Sequence, residues 1–248
     1  MIDRRHLKLG AKPSPKDTRT LMLTDYLIPA QLPPIPPEQH YSRAVTKSWG
    51  MLGNDKYGNC TYAGMAHLIQ SDAANNGRQI EFTAKAIIAA YLKSTGGVDS
   101  GQSLLAVLKD VRKNGIQGRR IGAFLQVDPR KIAQVKAAIY LFGGLYCGVD
   151  LPIASQKQVV WDVPKGGLLG DGARGSWGPH CVPITDYADW GYVCETWGDE
   201  VPMTKRYWNA YFFEAWALIA EDWVTGAKPA PNGFNLDALT KALKMVSN

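Results

Sequence analysis

The sequence predicts an α+β fold in which helices come first and strands follow. Segments with helical patterning occupy 60–141, and short apolar strands bounded by glycine and proline begin at 145. Hydrophobic residues make up 46% of the 248 positions, enough for one large domain or for two lobes sharing a cleft. At 20%, charged residues are too sparse for a largely disordered chain.

Residues 1–44 are predicted to form an extended arm. Pro29, Pro33, Pro34, Pro36 and Pro37 favour polyproline geometry and oppose a helix. Much of the net charge of +6 sits at its start, on Arg4, Arg5, Lys8, Lys12, Lys16 and Arg19. This is either a solvated arm or one that lies on an acidic surface, on its own domain or on a neighbour. No aromatics are interleaved with these charges, so nucleic acid is not the expected partner. Residues 1–8 lack the apolar stretch of a secretory leader, and no run of about 18 apolar residues suggests a membrane span. The expectation is therefore synthesis in the cytoplasm, with association in a particle as an alternative.

Helices are predicted over 60–71, with Asn59 as cap, and over 82–92, with Thr83 as cap. Two more are predicted over 104–113, stopped by Asn114-Gly115, and over 132–141, stopped by Gly143-Gly144. Strands follow over 145–151, 180–187 and 192–197, the last two joined by the turn Ala188-Asp189-Trp190-Gly191. The aromatic segment 207–219 fits helix, strand or both. The glycine-rich stretch 166–175 reads as a loop, and as a lid in its sharper reading. Beyond 226 a tail helix is predicted, with Asn235 as cap and Leu236, Leu239, Leu243 and Val246 on one face. Both the arm and this helix are candidate surfaces for protein partners.

None of the four cysteines, Cys60, Cys147, Cys181 and Cys194, forms a CxxC pair, so free thiols are expected and no metal or other cofactor is called for. Cys60 follows Gly58-Asn59 at a predicted helix start, where unpaired N–H groups and the helix dipole favour a thiolate. His180, where the glycine loop meets an apolar strand, is its candidate base. His67 lies about two turns along the helix from Cys60, too far to serve. Glu195 is the candidate for orienting the imidazole, with Asp186 and Asp189 as fallbacks. The backbone N–H of Cys60 and the Asn54 side chain are candidate oxyanion donors.

This set resembles the papain family. Asn54-Asp55-Lys56-Tyr57-Gly58-Asn59-Cys60 is similar to the family stretch in which a Gln precedes the nucleophile by six positions. Pro179-His180-Cys181-Val182 resembles the context of the family histidine, and Glu195-Thr196-Trp197-Gly198 resembles Asn-Ser-Trp-Gly with Glu in place of Asn. The resemblance covers about 45–220. It implies a helical lobe over about 45–125 and a β-barrel-like lobe over about 126–225, with the site in the cleft between them. It further implies a cysteine peptidase or amide hydrolase that acts on peptide or protein substrates through Cys60, His180, Glu195 and Asn54 and a thioester intermediate. The proline arm is then a candidate to occupy the cleft. The alternative is a structural protein, such as a virion or phage component, built on the same scaffold with weak or no catalysis.

Overall fold

The computed structural model describes residues 4–25 and 34–220. The predicted tail helix and part of the proline arm lie outside these residues. Chain order runs β1 (Ala11–Lys12), β2 (Gln39–His40), α1 (Cys60–Asn75), α2 (Ala84–Ser94), β3 (Gln102–Ser103), α3 (Leu104–Asn114), β4 (Ile121–Val127) and α4 (Ile132–Phe142). It continues through β5 (Leu145–Leu151), β6 (Gly178–Ala188), β7 (Gly191–Thr196), β8 (Asp199–Thr204), α5 (Lys205–Tyr211) and β9 (Phe212–Ala220). The α+β class is as expected.

Local chemistry explains most boundaries. The Thr83 and Ser103 hydroxyls accept from the N–H groups of Ala86 and Ala106 and start α2 and α3. Gly115 and Gly143 end α3 and α4 at φ 75° and 80°, where a Cβ would be strained. Asn59 behaves otherwise. It makes no cap hydrogen bond, because its amide donates to the Leu52 carbonyl at 2.9 Å and its backbone is not extended. The aromatic segment is both helix and strand: Thr204 caps α5, and the chain turns extended at Phe212 to enter β9.

One seven-stranded antiparallel sheet carries the second half, in the order β4-β9-β5-β6-β7-β8. The arm strand β2 pairs with the end of β6, at Gln39 opposite Tyr187, beyond the last residue β5 reaches. The sheet stays open; the expected barrel does not close. The helix α1 lies on β6 and is buried from Cys60 to Ala74, so it has no solvent face. Small residues allow the approach. A methyl group on Gly64 would sit 3.3 Å from Pro183 and 3.5 Å from the Cys181 sulfur. Met65, Leu68 and Ile69 are fully covered, each worth roughly 1.5–3 kcal/mol relative to exposure. The polar residues of α1 hold the wrapping segment before it: His67 Nε2 lies 2.9 Å and 3.1 Å from the Trp49 and Gly50 carbonyls, and Gln70 donates to Ser48 O. This packing fixes the N-terminus of α1 against the start of β6.

Candidate active site

Cys60 is the first residue of α1, and its thiol meets the backbone N–H of Cys181, the residue after His180. Helix start and strand mouth therefore converge. The electrostatics differ from the expected thiolate. Burial pushes the Cys60 thiol up to about 11, outweighing the N–H groups of Cys181, Gly10, Thr61 and Ala11 that favour its charged form. Gly10 and Ala11 belong to the arm, so part of the thiol's cover is the chain's own beginning.

His180 is fully buried. Its ring stacks on Trp197 at 4.3 Å and 16°, and Trp197 stacks in turn on Trp177. Its Nε2 lies 2.8 Å from the Thr196 hydroxyl, with donor and acceptor set by the tautomer. Burial draws the imidazole down to about 3, so the ring is neutral. Among the described residues Nδ1 has no hydrogen-bond partner, so the ring makes no bond to the thiol.

The orienting group is not the expected carboxylate. Glu195 accepts from the Thr185 hydroxyl at 2.5 Å and sits on that side of the sheet. A bulge between Ile184 and Asp186 sets the β6–β7 register, with Ile184 opposite Cys194. Side chains alternate, so Thr196 shares the face of Cys194 and of His180, whereas Glu195 shares that of Thr185. Burial raises the Glu195 carboxyl well above its ordinary range, which favours its neutral form. Of the fallbacks, Asp186 binds the Ser42 N–H and hydroxyl and faces His40, and Asp189 is an exposed turn residue. Sequence reasoning missed Thr196; its one signal was the adjacent Trp-Gly, where Trp197 takes φ 50° and folds its ring over the histidine.

Asn54 is buried, and its Nδ2 donates to the Tyr57 carbonyl at 3.1 Å and to the arm's Lys8 carbonyl at 3.4 Å. It is thus an amide donor turned toward a carbonyl from the arm. The arm passes through a slot between Gly58 and Gly101. A methyl on Gly10 would lie 1.8 Å from the Gly58 oxygen, and one on Gly101 would lie 2.4 Å from the Gly10 oxygen. Asp99 fixes the slot by accepting from Gly58 N–H and the Tyr91 hydroxyl, and Tyr91 accepts from Gly101 N–H. β1 then pairs in parallel with β3, with Gln102 N–H donating to Gly10 O at 2.8 Å. Further along, the Ser14 hydroxyl accepts from Leu105 N–H at the start of α3.

The other sequence candidates have structural partners. His67 supports the turn at Trp49–Gly50, and burial draws it down to about 4. The glycine-rich loop is tethered: Arg174 pairs with Asp150 at 2.9 Å, and the Tyr211 hydroxyl donates to Gly172 O. All four cysteines are free and buried.

No protein-family model matches the chain. No curated protein matches its sequence. Solved structures do match. Xylellain, a cysteine protease from Xylella fastidiosa, superposes with a TM-score of 0.66 at 17% identity, over 86% of this chain and 96% of that one. Procathepsin B S9 from Trypanosoma congolense gives 0.63 at 11% identity, over 88% of each chain. The cysteine protease CMS1MS2 of Carica candamarcensis, in complex with E-64, gives 0.55 at 12%, over 75% of this chain and 99% of that one. The chain has the fold of the papain-like cysteine proteases.

Proposed function

We propose that the chain is a cysteine peptidase or related amide hydrolase, held covered by its own first residues. The observation that carries the reading is the Cys60 thiol at the tip of α1, in contact with the residue that follows a neutral, ring-stacked His180. With the arm displaced, water and substrate reach the thiol. His180 takes the Cys60 proton as the sulfur attacks an acyl carbon, and returns it to the departing amine. Water, deprotonated by the same ring, then cleaves the thioester and frees the acid. Thr196 holds the ring, and Asn54 with the Cys60 N–H receives the oxyanion. With the arm in place the cleft is closed to substrate. The arm presents N–H groups to the thiol and runs parallel to β3.

The test uses the full chain with Gly10→Ala, which cannot fit the slot. An epoxide-bearing peptide electrophile is expected to alkylate Cys60 alone among the four thiols, and hydrolysis of quenched peptides is expected to vanish with Cys60→Ala. A chain whose cleft opens yet whose Cys60 labels no faster than the other cysteines, with no hydrolysis, would be the inert scaffold of the alternative reading.

A further inference from the structure

We infer that Cys60 and Cys181 form a peroxide-sensing pair, in which a hydroperoxide closes a reversible disulfide between the tip of α1 and the strand it meets. The inference concerns the two thiols themselves and stands apart from the hydrolase reading.

The fold sets Cys181 against the first turns of α1. Its backbone N–H meets the Cys60 thiol. Its own sulfur lies at Gly64, one turn beyond Cys60 on the same face of the helix. A methyl group on Gly64 would sit 3.5 Å from that sulfur, so the glycine lets the Cys181 side chain lie directly on α1. Tyr146 marks the same spot from β5: its hydroxyl donates to the Thr61 carbonyl at 2.8 Å and also meets the Cys181 thiol. Thr61 and Gly64 flank Cys60 on the helix, so both thiols stand over its first turns. The sheet register excludes the other two cysteines. Cys147 lies opposite Val182 and Cys194 opposite Ile184, and side chains alternate, so both project from the face that Cys181 does not. Closing a sulfur–sulfur bond of about 2.05 Å then calls for rotation about the Cα–Cβ bonds of Cys60 and Cys181.

The chemistry balances with one hydroperoxide. The Cys60 sulfur gives up its proton and attacks the near peroxide oxygen; the O–O bond breaks, and the departing oxygen takes a proton and leaves as water or an alcohol. The Cys181 sulfur attacks the resulting sulfenic acid; the S–O bond breaks, and the hydroxyl leaves as water with the Cys181 proton. Two thiols are oxidised and one hydroperoxide is reduced. A dithiol returns both cysteines by exchange. A sulfenic acid with no second thiol beside it goes on to the sulfinic acid, which a dithiol does not reverse. Burial raises both thiols above their ordinary range, and Gly10 and Ala11 of the arm cover Cys60. The pair is therefore quiet while the arm is docked and responds when the arm retreats.

The experiment exposes full-length Gly10→Ala protein, with and without Cys181→Ser, to a small molar excess of hydrogen peroxide. Iodoacetamide then caps the remaining thiols, and unreduced peptides are weighed. The expected product is one peptide pair joined through Cys60 and Cys181, lighter by two hydrogens than its separate halves. Capture of iodoacetamide at Cys60 should fall to background and return in full with dithiothreitol. In the Cys181→Ser chain the joined pair should be absent, Cys60 should carry sulfinic acid, and dithiothreitol should not restore its capture. Cys181→Ala is run beside it, so that a folding defect peculiar to one replacement is not mistaken for the effect. Sulfinic acid at Cys60 while Cys181 is present, a bridge to Cys147, Cys194 or a second chain, or full recovery without Cys181 each overturns the inference. A Cys60 that meets neither peroxide nor iodoacetamide in the Gly10→Ala chain overturns it as well, since a sealed thiol senses nothing. The masses are read whether or not the chain cleaves peptides, so failure here leaves the hydrolase reading standing, and a chain without hydrolysis leaves the pair standing.

Discussion

Gly10→Ala should convert a covered thiol into a reactive one, and the structure sets the size of the effect. The added carbon would sit 1.8 Å from the Gly58 oxygen and 2.3 Å from its carbonyl carbon. Ordinary contact needs roughly 3.3 Å or more, so the arm must retreat by over an ångström. Gly58 cannot yield easily, because its N–H is held by Asp99. A retreat of that size breaks Gln102 N–H to Gly10 O and Asn54 Nδ2 to Lys8 O. At about 1 kcal/mol each, with the lost thiol contacts, the arm's docking weakens by roughly 2–4 kcal/mol. This corresponds to a thirty- to thousandfold rise in the open population. The assay is the rate of iodoacetamide capture at Cys60 near neutral pH, followed by peptide mass spectrometry beside the other three thiols. The native chain should label slowly at all four. The variant should label at Cys60 faster by that factor, while still unfolding cooperatively, with a transition lowered by roughly 5–15 °C. Equal rates in the two proteins would refute the reasoning, because the arm would then not be what covers the thiol.

Thr196→Val removes the hydroxyl from His180 and should lower kcat/KM in the opened enzyme by about five- to thirtyfold. Glu195→Gln, by contrast, should leave the ring in place; a larger loss for Glu195→Gln than for Thr196→Val would return the orienting role to the carboxyl group. The folded Glu195 carboxyl titrates above its unfolded value, so its contribution is intact below pH 4.5 and is lost as pH rises. Urea titrations should accordingly find Glu195→Gln more stable than the native chain at pH 8 and nearly equal at pH 4. His67 has the opposite sign. Its folded value of about 4 lies below 6.5, so the unfolded chain gains a proton first and stability falls as pH drops from 6.5 to 4, by up to about 3 kcal/mol. His67→Gln should flatten that slope, and an unaltered slope would place the acid sensitivity elsewhere.

The helices were legible because their stop and start signals are local. Thr83, Gly115 and Gly143 act within a few residues of themselves, and α2, α3 and α4 fall within two residues of their expected limits. The strand Leu145–Leu151 was legible from its length and flanking breakers. β4 was not anticipated, although 121–127 alternates between covered and more open positions; its partner is β9, nearly a hundred residues away. The partner of His180 was misplaced for a related reason. A motif places Glu195 two residues before the tryptophan-bearing turn, but a single bulge in the neighbouring strand decides which side of the sheet it faces. The prolines pointed to an extended arm, yet they carry no information on where it lies or in which direction. That is fixed by two glycines, Gly58 and Gly101, whose backbones approach a third, Gly10.

The stacked rings Trp177, Trp197 and His180 give the cleft a built-in optical reporter. An imidazolium at 4.3 Å drains the excited indole far more effectively than the neutral ring that burial enforces. Arm release, solvent entry and proton uptake at the histidine would each dim the tryptophan emission, so the opening of this site can be timed in stopped flow without attaching a dye.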